Sequence, residues 1–201
     1  MIQAILLDLG NVIVPVDFRR CHEALAAVCP YPARDVPRRI GATGLVERFE
    51  KGQILPEDFV QQISRVLEMN VSYPQFWELW SSIFLPETLL PEELLAGLRR
   101  RHRLLLLSNT NAIHFAMARE RYALLRHFDG FVLSCEVGAL KPEPEIYHEA
   151  IARAGCPAAE CFFTDDVPAY VEAARQEGID AVEFQSRDQL ERALQARGVV
   201  W

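Results

Sequence analysis

An α/β doubly wound core interrupted by an all-helical insertion is the fold this sequence predicts, and three observations predict it. Five short apolar runs recur along the chain, each the length of a strand. Amphipathic helical patterns that stop at glycine separate the later runs. Between the first two runs, from about Phe18 to about Phe84, no convincing strand occurs.

The first run is Ala4-Ile5-Leu6-Leu7, ending at Asp8. The second is Leu104 to Leu107, ending at Ser108-Asn109. The third is Phe131-Val132-Leu133, the fourth Cys161 to Thr164, ending at Asp165-Asp166, and the fifth Ala181 to Phe184. Unbroken apolar runs suit strands covered on both faces, as in a parallel sheet. Glu145 to Ala154 puts Ile146, Ala150, Ile151 and Ala154 on one face and stops at Gly155; Ala169 to Glu177 stops at Gly178. Alternating strands and helices of this kind build a doubly wound sheet. In the insertion, helical patterns cover Cys21 to Val28, Pro56 to Glu68 and Pro74 to Ile83. Hinges are expected near Pro15–Phe18 and Leu85–Pro91, and Phe49, Phe59, Phe76, Trp77 and Trp80 supply a local core.

A chain of 201 residues, 50% hydrophobic and 24% charged, is long enough to bury a core without disulfides or a structural metal. Its net charge of −7 argues against nucleic acid or an anionic membrane as partner. The one basic cluster, Arg99 to Arg103, reads as a helix C-terminus, where cations suit the dipole. Five cysteines without metal-ligand spacing read as free thiols. The first apolar run has no basic segment before it and ends at Asp8, so it reads as a strand and not a signal peptide. A cytoplasmic protein, monomer or homodimer, is the expectation.

In doubly wound sheets ligands bind beyond the carboxyl ends of the strands. Three of those ends carry polar groups here: Asp8, Ser108-Asn109 and Asp165-Asp166. Lys141 adds a cation in the loop after the third strand. Alone, each has an ordinary structural explanation as a cap or turn residue. Together they form a chemical set. A carboxylate that attacks phosphorus makes an acyl-phosphate and splits one hard step into two. Anion must then meet anion, and a Mg²⁺ ion held by carboxylates, carbonyls and water offsets the charge. A hydroxyl and a lysine can hold the phosphoryl oxygens.

These residues resemble the four motifs of the haloacid dehalogenase superfamily. The matching segments are Ile5 to Val12, Leu106 to Asn111, Gly138 to Tyr147 and Phe162 to Asp166 with its continuation to Gly178. The resemblance implies a Rossmann-like core, residues 1–15 plus 86–201. Its five-stranded, mostly parallel sheet has the order 5-4-1-2-3, and residues 16–85 form a helical C1-type cap. Asp-Leu-Gly-Asn, Ser-Asn-Thr-Asn and the segment Val46 to Gly52 are similar to bacterial phosphatases acting on glucose 1-phosphate. The phosphatase domain of soluble epoxide hydrolases is a more distant likeness. By the same resemblance Asp8 is nucleophile and metal ligand. The Gly10 carbonyl and Asp166 are further ligands, and Asp165 reaches the metal through water or orients the site. Ser108, the Asn109 backbone and Lys141 hold phosphate. The substrate expected is a small phosphorylated metabolite, a sugar phosphate by this likeness.

Two departures stand out. Where related phosphatases carry an acid/base Asp, this chain has Gly10; Asp17, His114 and the substrate itself are the candidate proton sources. Tyr170 stands where related sequences often carry Asn, a change expected to alter helix packing only. Arg48 and Trp80 are candidate cap contacts to substrate. Two alternatives are a 2-haloacid dehalogenase, in which Asp8 attacks carbon without metal, and a weakly catalytic phosphosugar-binding protein.

Overall fold

The computed structural model describes residues 1–201. In chain order the elements are β1 (Ala4–Leu7), α1 (Phe18–Ala26), α2 (Val36–Gly41), α3 (Leu45–Glu50), α4 (Pro56–Val66), α5 (Tyr73–Ser81) and α6 (Glu92–Arg99). There follow β2 (Arg103–Ser108), α7 (Ala112–Arg121), β3 (Gly130–Leu133), α8 (Ser134–Val137), α9 (Pro144–Ala154), β4 (Cys161–Asp165), α10 (Pro168–Gln176), β5 (Asp180–Glu183) and α11 (Arg187–Gln195). The sheet is wholly parallel, in the order β3-β2-β1-β4-β5, which is 5-4-1-2-3 read from the other edge.

Alternation along each strand feeds two cores. Ile5, Leu7, Leu104, Leu106 and Phe162 face one side, and Ala4, Leu6, Leu105, Leu107 and Phe163 face the other. Register aligns the strand ends that matter: Leu7 lies beside Leu106 on one flank and Thr164 on the other. After β3 the chain crosses back to the far side of β1, so β1 and β4 flank the point where strand order reverses. A crevice opens at the carboxyl ends there.

Five helices, α1 to α5, fill the stretch between β1 and α6. Their interior is aromatic. Phe59 stacks on Phe49 at 4.1 Å and meets Trp80 and Phe76 edge-on at 5.1 and 6.0 Å. Helices α2 and α3 were not legible from periodicity: each is six residues long and neither has a side-chain N-cap. Helix α11 was also missed, although Ser186 caps it through the Gln189 amide, and Leu190 and Leu194 are buried beneath it. The two connections of the inserted helices run side by side. Val16 bridges Phe84, the Asp17 amide donates to Ile83, and the Leu85 amide donates to Pro15.

A tight approach joins these helices to the core. Gly52, in the turn after α3, has φ +66°, and a Cβ there would lie 2.0 Å from the Cys135 carbonyl oxygen of α8. Gly52→Ala is therefore expected to cost at least about 1 kcal/mol, lowering the unfolding midpoint by roughly 2–4 °C. Differential scanning calorimetry checks this; an unchanged midpoint would show that the turn is not held against α8. The basic run from Arg99 does begin at a helix end, with Arg100 as the C-cap of α6. All five cysteines are free. No helix is long and apolar enough to cross a membrane.

Candidate active site

The exit from β1 is a tight turn. The Ile13 and Val14 amides both donate to the Leu9 carbonyl, and the Asn11 amide donates to Val14. Asn11 takes φ +54°, a conformation Asn tolerates better than most residues. Its side chain then works in two directions: Oδ1 accepts from the Val16 amide at 3.1 Å, and Nδ2 donates to Asp166 Oδ2 at 3.0 Å. Asn11 thus ties the β1 turn to the end of β4.

Asp8, Asp165 and Asp166 converge, with one oxygen from each lying within 4.8 Å of the others. Lys141 reaches into this cluster from the loop before α9. Its Nζ donates to Asp8 Oδ1 at 2.7 Å, to Asp165 Oδ2 at 2.5 Å and to the Leu107 carbonyl at 3.1 Å. Lys141 is 2% exposed, Asp8 7% and Asp165 not at all. Burial works against the Lys141 charge, but Asp8 and Asp165 more than offset it and hold its pKa above the ordinary lysine value. Asp8 is pushed up to about 6: burial raises it, Lys141 pulls it down, and Asp165 raises it further.

The carboxylate oxygens divide into two sets. Asp8 Oδ1 and Asp165 Oδ2 take the ammonium, Asp165 Oδ1 takes the Val167 amide and Asp166 Oδ2 takes Asn11. Asp8 Oδ2 and Asp166 Oδ1 are left over. Hard oxygen donors of this kind suit Mg²⁺, which uses one or two carboxylates and keeps several waters. The residues present therefore fit that ion.

The other groups assemble on the same cleft, a cavity of about 250 Å³ whose walls include Gly10, Ser108, Asn109, Thr110 and Tyr170. Asn109 clamps the lysine loop: Nδ2 donates to the Lys141 carbonyl at 2.9 Å, and Oδ1 accepts from the Lys141 amide at 2.8 Å. Its side chain thus sets where Lys141 stands, which the motif alone did not reveal. Ser134 and Thr110 exchange hydrogen bonds at 2.9 Å and fasten the end of β2 to that of β3. Tyr170 is more than a packing residue. It lines the cleft, with its ring 5.3 Å from Lys141 Nζ.

Two candidate proton sources are engaged in structural contacts. His114 is buried, and both ring nitrogens are engaged. Nε2 donates to the Trp80 carbonyl at 3.1 Å, and Nδ1 accepts from Asn111 Nδ2 at 3.0 Å. Burial lowers its pKa to about 4, so at neutral pH it is the neutral imidazole, whose one N–H is held by the Trp80 carbonyl. Asp17 caps α1 through the Arg19 amide and pairs with the Arg19 guanidinium, which holds its carboxyl below the usual range. It does not line the cleft. Arg48 is exposed and also stands outside the cleft. Trp80 stacks on His114 and faces a second cavity, within the inserted helices.

That cavity, about 290 Å³ and mostly apolar, adjoins the cleft; Phe18, Glu50, Ile83 and His114 line both. Glu50 is the acidic group that the sequence reading passed over. Beside it, Lys51 Nζ pairs with Glu143 Oε1 at 2.6 Å, while Glu143 Oε2 accepts from the Leu140 amide at 2.9 Å.

A family model described as haloacid dehalogenase-like hydrolase matches residues 2–178. The D-ribitol-5-phosphate phosphatase of Bacteroides thetaiotaomicron is 25% identical over 186 residues, 90% of each chain. Phosphatase MT3486 of Mycobacterium tuberculosis is 29% identical over 211 residues, 99% of this chain and 96% of that one. A crystal structure of a haloacid dehalogenase family enzyme from Bacteroides thetaiotaomicron, in complex with magnesium and inorganic phosphate, superposes with a TM-score of 0.83. It is 28% identical, covering 93% of this chain and 96% of that one.

Proposed function

The chain belongs to the haloacid dehalogenase-like hydrolases, and from that footing we propose that it is a Mg²⁺-dependent phosphatase of small phosphorylated metabolites. The observation that carries this reading is the convergence of Asp8, Asp165 and Asp166 around the Lys141 ammonium at the strand-order switch point. The magnesium and phosphate bound by the similar enzyme support it. So does the activity of the Bacteroides relative, a D-ribitol-5-phosphate phosphatase, which favours a sugar or polyol phosphate as substrate.

Asp8 is the nucleophile. Lys141 donates to Oδ1 and fixes the carboxylate that attacks phosphorus. The Ser108 hydroxyl, the Asn109 amide and Lys141 hold the phosphoryl oxygens and stabilise their charge in the transition state. Asp8, the Gly10 carbonyl and Asp166 would hold Mg²⁺, with Asp165 orienting Lys141 behind them. When bound, the ion supplies positive charge against which an anionic nucleophile and an anionic ester can approach. Water then cleaves the aspartyl-phosphate and regenerates Asp8. Residues 16–85 act as a cap that closes over the cleft, excludes bulk water and contacts the leaving group. Trp80 contributes to that inner wall, and Arg48 has no part in it.

The expected result is phosphate release from p-nitrophenyl phosphate and from members of a sugar- and polyol-phosphate panel with Mg²⁺, abolished by EDTA. Metal-independent halide release from a 2-haloacid, with no phosphate release from any ester, would overturn the reading.

A further inference from the structure

We infer that Glu50, at the end of α3, is the general acid that protonates the departing oxygen, in the role that Gly10 leaves vacant; this rests on the phosphatase reading above. The phosphoryl group is held at the floor of the cleft by Ser108 and Lys141, so the alcohol portion must point toward the inserted helices. Glu50 stands at that junction, lining both the catalytic cleft and the apolar cavity beside it. The end of α3 is fixed there by two contacts with the core. Lys51 pairs with Glu143, and Gly52 packs against the Cys135 carbonyl.

The other carboxylates and the histidine on the cleft wall are already engaged, which leaves Glu50 and the Tyr170 phenol that the test below separates from it. Among the ionisable groups on the cleft wall, Asp8 is the nucleophile, Asp166 is committed to the cation, and Asp165 is enclosed by Lys141 and the Val167 amide. His114 has both nitrogens occupied. The charged and titratable groups around Glu50 favour its protonated form. Burial and then the Glu47 carboxylate on the same helix push its pKa up to about 7. Cys135 and Tyr170 across the core are both held protonated, with burial raising each. Burial lowers His22 and His114 in the adjoining cavity, so neither supplies a stabilising cation. Lys51 spends its charge on Glu143 and Glu47.

The proton balance closes. As the Asp8 carboxylate bonds to phosphorus and the ester P–O bond breaks, the Glu50 carboxyl gives its proton to the leaving alkoxide and an alcohol departs. The Glu50 carboxylate then takes a proton from the water that attacks the aspartyl-phosphate. The bond from phosphorus to Asp8 breaks, inorganic phosphate leaves, and both carboxyl groups return to their starting states.

The test compares two leaving groups in the full chain with Mg²⁺. An alkyl phosphate such as a polyol phosphate needs a proton at its departing oxygen. p-Nitrophenyl phosphate releases a stable phenolate and needs it far less. Glu50→Gln is expected to lower kcat on the alkyl ester by roughly 10²-fold or more, and by at least tenfold less on the aryl ester. Wild-type kcat on the alkyl ester should fall as pH rises through about 7, and Glu50→Gln should remove that limb. Equal loss on both esters, no loss on either, or a leaving-group-dependent loss in Tyr170→Phe in place of Glu50→Gln overturns the role of Glu50 alone. A wild-type protein inert toward both esters overturns the phosphatase reading and this inference with it.

Discussion

Asp8→Asn is expected to abolish phosphate release, lowering kcat by at least about 10⁴-fold, without unfolding the protein. The amide is nearly isosteric with the carboxylate and can still meet Lys141, but it cannot form the acyl-phosphate. The stability side of the experiment is as informative as the rate. Burial raises the folded pKa of Asp8 to about 6, above the ordinary value of 3.8. A group raised in the folded state contributes stability that is complete below its unfolded pKa and is lost as pH rises through its folded one. Above about pH 6 the ionised Asp8 therefore weakens the fold. Asparagine, neutral at every pH, removes that penalty, so the metal-free variant should unfold at or above the wild-type midpoint at pH 7.5. Retained turnover would refute the assignment of Asp8. A markedly lower midpoint would refute the electrostatic account.

Lys141→Met should have the largest effect on stability. The substitution keeps much of the side-chain volume and removes the cation that Asp8 and Asp165 share. Breaking a buried ion pair by deleting one partner typically costs roughly 3–5 kcal/mol, because the remaining charge is left uncompensated. For a chain of this size that corresponds to a midpoint roughly 6–20 °C lower at neutral pH. Two conditions should recover part of the loss: acidification, which protonates the stranded carboxylates, and millimolar Mg²⁺, which replaces the missing charge. Turnover should stay at least about 10²-fold down even with Mg²⁺, because the phosphoryl oxygens lose a donor. A midpoint change under about 2 °C, independent of pH, would show that Lys141 is not the charge that holds the cluster together.

The parts of this molecule that could be read from the sequence are those set by local pattern. Leu104 to Leu107 is an unbroken apolar run because both faces of β2 are covered, and the same holds for β1 and β4. Asp8, Ser108 and Asp165-Asp166 were legible because a strand end fixes where the next residues emerge. Lys141 was legible as a cation near them, but not as the counter-charge buried between Asp8 and Asp165, which depends on how the loop folds back. The Asn109 clamp on that loop was hidden for the same reason. A place in the cleft for Glu50 and Tyr170 does not follow from spacing. Each enters the cleft only because one segment docks on another, Glu50 through the turn at Gly52 and Tyr170 through the packing of α10 beside β4. For His114 the structural role, with the Trp80 carbonyl and Asn111 on its two nitrogens, depends on contacts that no local pattern encodes.

Glu143 holds one carboxylate oxygen on each side of the cleft: Oε1 on Lys51 of the inserted helices, Oε2 on the Leu140 amide, one residue before Lys141. The same side chain thus ties the inserted helices to the loop that carries Lys141. Any swing that lifts Lys51 removes one of the two anchors of Glu143, and with it a restraint on the Lys141 loop. On the phosphatase reading, opening of the inserted helices and loosening of the Lys141 loop would then be coupled through one part-buried ion pair, which salt weakens.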